Sequence, residues 1–164
     1  MSSNPSSPTG SEFWSKPKRT LTADKHLSLV LGAATNLPLK YWQPHFYFTG
    51  AEDEKLAGIT EGRFPATPIP KKTHPLFALK PLPDGAGCTV CPCSSRRPFD
   101  QAIYHFIRKG CRFLHTGFET DRNSYLVEQV RFNLPASVAN RLHFRGEVPV
   151  ECIIPEKRFV RKVK

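Results

Sequence analysis

Three of the chain's five cysteines fall within six residues, in the stretch CTVCPCSSRR from Cys88 to Arg97. Cys88 and Cys91 have the two-residue separation of a zinc knuckle, where a tight turn lets two thiolates face one ion at about 2.3 Å. The same spacing serves dithiol redox chemistry. The intervening residues favour neither. Thr89 and Val90 are β-branched strand formers, the glycines that would make a turn precede Cys88, and Pro92 stiffens the chain on the far side of Cys91. No second pair stands at ligand spacing, because Cys111 and Cys152 are isolated and the histidines are scattered from His26 to His143. In a strand, Cys91 and Cys93 point to one face, where thiols pack as small apolar groups. The cluster reads as a buried strand. A small metal-stabilised protein built on Cys88, Cys91 and Cys93 is the alternative.

The elements around that strand follow from composition. The chain has 164 residues, room for one compact domain with extensions. Sixteen prolines favour loops and short strands over long helices, so a β-rich fold is expected. The opening MSSNPSSPTGSEFW lacks a basic flank followed by an apolar run, and the longest apolar run, around Leu27 to Ala34, is far too short to cross a bilayer. A cytoplasmic protein with no membrane partner is expected. Its thiols should stay reduced, so no disulfide scaffold is expected.

Residues 1–20 carry little to bury and read as a disordered lead-in. The segment 21–70 reads as an N-terminal extension packing on the main domain, with a short helix or strand over TADKHLSLVLGAA, an edge strand and turn in LPLKYWQPHFYFTG, and one polar helical turn in AEDEKLAG. GRFPATPIPKKTHP is a proline-fixed connector. Then LFALK and CTVCPCSS form a hairpin whose turn is PDGAG, with Asp84-Gly85 supplying positive φ. FDQAIYHFIRKGCRFLHTG reads as a short helix followed by a strand, SYLVEQVRFN as one continuous strand, and Pro135 opens a helix in PASVANRLHF. Residues 71–164, ending in the tail KRFVRKVK, form the main domain.

The net charge is +10 and uneven: residues 1–70 carry seven basic and six acidic side chains, residues 71–164 seventeen and eight. A field of that sign concentrates polyanions and acidic partners at the second part.

One order of fragments stands out. THPLFAL (Thr73–Leu79), a hairpin, a strand ending in CPCSS, then SYLVEQVRFNL and ANRLHFRGEVP resemble, over residues 73 to about 150, the PemK/MazF family of toxin endoribonucleases. The resemblance implies a small SH3-like barrel with one or two short helices, usually a homodimer, that cleaves single-stranded RNA without metal or other cofactor and is silenced by an acidic antitoxin segment. The family's catalytic Arg and Thr correspond to His74 and Ser94 here. Lys71, Lys72, Ser95, Arg96 and Arg97, beside that pair in sequence, are the expected nucleic-acid-binding positions. An imidazole in place of a guanidinium changes the chemistry, because histidine can both accept and donate a proton near neutral pH. His74 could then act as base for the 2′-hydroxyl or acid for the departing 5′-oxygen, Ser94 could bond the phosphate, and Arg96 or Arg97 could stabilise added charge. The family's opening Gly-Asp motif is not recognisable, and the N-terminal region stands in its place. A barrel without catalysis, binding nucleic acid or protein, is the other alternative.

Overall fold

A computed structural model describes residues 37–65, 67–98, 103–139 and 141–157 of the chain. The lead-in, the TADKHLSLVLGAA segment and nearly all of the basic tail lie outside the described residues. The chain runs β1 (Phe46–Glu52), α1 (Asp53–Ile59), β2 (Thr73–Pro81), β3 (Gly87–Ser94), β4 (Ile103–Ile107), β5 (Ser124–Leu126), β6 (Phe132–Pro135), α2 (Ala136–Ala139), β7 (His143–Glu147) and β8 (Ile153–Lys157). The strands pair antiparallel in the order β7-β1-β2-β3-β5-β4-β8, with β6 also on β3. The result is mainly β: a curled, barrel-like sheet of eight strands with two short α-helices among the described residues. None of the helices described is long and apolar enough to cross a membrane.

The β2–β3 hairpin forms where the turn residues demand it. Asp84 and Gly85 both take positive φ, 59° and 70°, so the chain reverses within PDG. Strand alternation then divides the core. Leu76, Ala78, Cys88 and Val90 join one cluster with Phe46, Phe48 and Phe144, while Phe77, Leu79, Cys91 and Cys93 join a second with Phe113, Leu126 and Cys152. Cys88 therefore faces the opposite side of the sheet from Cys91 and Cys93.

A loop bridges one end of the curled sheet. Leu114, in the loop after β4, exchanges backbone hydrogen bonds with Glu147 of β7 at 2.8 and 3.2 Å. Gly146 permits the approach: at φ +131°, a Cβ there would lie 2.8 Å from the Phe113 Cβ and 2.9 Å from the Leu114 carbonyl oxygen.

Three expectations fail. β1 is not an edge strand, since it pairs with β2 on one side and β7 on the other. SYLVEQVRFN is two strands, not one. Along β3, Cys93 faces Leu126 and Val90 faces Phe132, so three positions on β3 span six on the partner. The surplus is taken up by a 3-10 turn at Glu128–Val130, which hands the chain from one part of the sheet to the other. In the third case, Cys111 and Cys152 are bonded to each other, their Cα atoms 5.9 Å apart. The β4–β8 ladder runs to Ile107↔Ile153 and continues with the Arg108 N–H on the Cys152 carbonyl at 3.0 Å. The Cys111 N–H then turns back onto the Arg108 carbonyl, which brings the two sulfurs together across 41 residues of chain. As for the stretch from Phe99, residues 103–107 are strand, and the helix expected before them falls partly on residues that are not described.

Candidate active site

His74 is placed by Ala51, Asp53 and Phe64, all well before it in the chain. It is the second residue of β2, where β1 runs alongside in the register Ala51↔His74 and Glu52↔Thr73. A bulge between Phe48 and Ala51, where Gly50 has φ +98°, re-aims the end of β1. The chain turns directly into α1, and the Asp53 N–H donates to the Lys72 carbonyl at 2.9 Å. This clamps the first residue of α1 against the start of β2. The Asp53 carboxylate, 1% exposed, lies with Oδ1 2.6 Å from Nδ1 of His74, itself 16% exposed. Phe64 packs edge-on against the imidazole at 4.9 Å, and its turn is pinned by Thr60, whose hydroxyl accepts the Phe64 N–H at 3.0 Å.

Ser94 ends β3. The β2–β3 register Leu76↔Pro92, continued by two residues, sets Ser94 across from His74. Both line a cleft of about 340 Å³ whose near wall is Lys72–Pro75 and Cys93–Ser95. Its far wall is Phe118 and Thr120–Ser124, and Tyr47 lies between. The Ser94 Oγ accepts the Arg96 N–H at 3.1 Å.

The far wall is a loop stapled from within. Buried Thr120 accepts the Cys111 N–H at 3.0 Å and donates to the Arg108 carbonyl at 2.9 Å. The Asn123 side-chain oxygen takes the Lys109 N–H at 2.8 Å. Arg122 is exposed on this loop, and its Nε lies 3.3 Å from Asp121 Oδ1. Beneath it the Tyr47 hydroxyl meets the Ser124 hydroxyl at 3.4 Å. Burial pushes the Tyr47 pKa up, so this phenol stays protonated.

The cleft thus brings together His74, Ser94, Ser95 and Lys72 from the positions expected. Lys71 is exposed in the turn before β2 and does not line it. Nor do Arg96 and Arg97: both are exposed at the end of β3, and Arg97 reaches instead to Glu156 of β8 at 3.2 Å. The cation opposite the imidazole is Arg122, which as sequence reads only as part of a turn. Asp53 was equally hidden, because an acidic residue opening a helix is ordinary and its partner stands 21 residues away.

The three clustered thiols are core residues. Burial pushes Cys88 and Cys93 up to about 12 and Cys91 well above the usual thiol range. Protonated, buried thiols are poor nucleophiles. With Cys88 on the other side of the sheet, the three do not converge on one point.

Chemically, the cleft offers an imidazole backed by a buried carboxylate, two serine hydroxyls and two cations on opposite walls. Comparisons with protein-family models, with curated proteins and with solved structures find no match to this chain.

Proposed function

We propose that the chain is a metal-independent endoribonuclease of the PemK/MazF toxin type, acting on single-stranded RNA. The observation that carries this reading is the shared cleft: His74 and Ser94 line it together with Lys72 and Arg122. RNA carries its own nucleophile. His74 takes the proton of a 2′-hydroxyl, the 2′-oxygen bonds to phosphorus, and the bond from phosphorus to the 5′-oxygen breaks. The proton held on His74 then passes to the departing 5′-oxygen. Ser94 donates a hydrogen bond to a non-bridging oxygen, while Lys72 and Arg122 balance the charge that builds on the phosphorane. An acidic antitoxin segment and a second copy of the chain are the protein partners that go with this reading.

The test is incubation of the purified chain with mixed-sequence single-stranded RNA in the presence of chelator. Cleavage is expected, and His74→Ala should lower its rate by about 10²–10⁴-fold. No scission of any RNA by the wild-type chain sinks the proposal.

A second reading is a binding module without catalysis. It is favoured by the His74 imidazole, which stands where the resemblance calls for a guanidinium that histidine does not replace in charge. Salt-sensitive RNA binding with no scission would select it.

A further inference from the structure

The region before Thr73 has no counterpart in the resemblance, yet it delivers the carboxylate that touches His74. The pair is enclosed: Asp53 is 1% exposed, its other oxygen lies 3.5 Å from the Ile69 N–H, and the Phe64 ring closes one side of the imidazole. An ionised carboxylate can only accept hydrogen bonds, so the ring nitrogen 2.6 Å from it must be the one that carries hydrogen. Turning the ring over would set a carbon against Asp53 and leave a buried acceptor oxygen unpaired. Two other histidines pair with carboxylates, His105 with Glu128 and His115 with Glu147, but neither borders the cleft. Of these three imidazoles, His74 alone can turn its second ring nitrogen to a substrate there.

We propose that Asp53 is a positioning residue, holding the His74 imidazole as the Nδ1–H tautomer so that Nε2 presents a bare lone pair to the cleft. The N-terminal extension is then part of the active site and not an appendage. The effect on RNA cleavage rests on the proposed ribonuclease function, whereas the tautomer does not.

The test is long-range ¹H–¹⁵N correlation of the ¹⁵N-labelled full chain, at a pH where the ring is neutral, with His74 assigned from the signals lost in His74→Ala. The wild type should show a protonated Nδ1 and an unprotonated Nε2. In Asp53→Asn the side-chain amide can donate to Nδ1, so the population should move toward Nε2–H, and RNA cleavage should fall by about 10²-fold or more. An Nε2–H tautomer in the wild type overturns the inference, and so does an unchanged tautomer in folded Asp53→Asn. Should that variant fail to fold, the wild-type spectrum decides alone. If the tautomer behaves as expected but the wild type cuts no RNA, the ribonuclease reading falls while the positioning role of Asp53 stands.

Discussion

The two walls of the cleft are built by different means. The near wall is the start of β2, laddered to β1, and the end of β3, laddered to β5, over a core of buried thiols and backed by Asp53. The far wall, Phe118 to Ser124, is a loop running into β5. It carries main-chain bonds between Gly110 or Cys111 and Thr120 and between Phe113 and Phe118, and it is stapled further by the Thr120 and Asn123 side chains and the Cys111–Cys152 bond. Groups that must hold a fixed geometry, the imidazole and the hydroxyl, stand on the rigid side. Arg122, which in the proposed reaction needs only to bring charge near a phosphate, stands on the loop side.

If this contrast is right, different reagents should undo the two walls. At neutral pH the largest effect is expected from the far side. Cys111→Ser with Cys152→Ser removes a cross-link spanning 41 residues and should cost about 2–4 kcal/mol in urea unfolding. Hydrogen exchange should quicken over residues 113–123 while the β2–β3 amides keep their protection. Equal loss in both places would show the walls to be one cooperative unit.

The near wall should be sensitive to alkali. Folding raises the pKa of Cys88 and Cys93 to about 12 and that of Cys91 by burial. Between the ordinary thiol pKa, about 8.5, and the folded value, the unfolded chain has lost protons that the native chain keeps. Stability conferred by these thiols is therefore complete below about pH 8.5 and declines as pH rises, by about 1.4 kcal/mol per pH unit for each thiol. Urea midpoints measured from pH 8 to about 10.5 should fall, and Cys93→Ala should flatten the slope by one thiol's share. A flat profile would place the thiols in contact with water.

The smallest effect is expected at Arg122. Its side chain is 70% exposed, so Arg122→Ala should leave stability unchanged. Binding of single-stranded RNA to it should show a salt dependence weaker by about 0.7 in log–log slope, the share of one phosphate contact. Lys72→Ala should do the same from the other wall. A change at Lys72 alone would remove Arg122 from the cleft.

The near wall was also the more legible side. Asp-Gly between two apolar runs, β-branched residues between the cysteines and a proline ahead of a helical stretch are local signals, and β2, β3 and α2 stand where those signals put them. The hidden features are the ones made by distance along the chain. Nothing near Cys111 announces Cys152, because the β4–β8 ladder brings them together. Nothing near Asp53 announces His74, because a bulge in β1 does. SYLVEQVRFN has the composition of one strand, and only its competition for two stretches of β3 breaks it in two.

Four sulfurs, those of Cys91, Cys93, Cys111 and Cys152, share a single apolar cluster, yet one pair alone is joined. Oxidation before that interior has assembled would offer each sulfur several mates. The right bond is expected to close most cleanly once collapse has separated Cys111 and Cys152 from the free thiols. Material made under strong oxidation from the start should accumulate as mispaired isomers that reducing and then gently reoxidising would rescue.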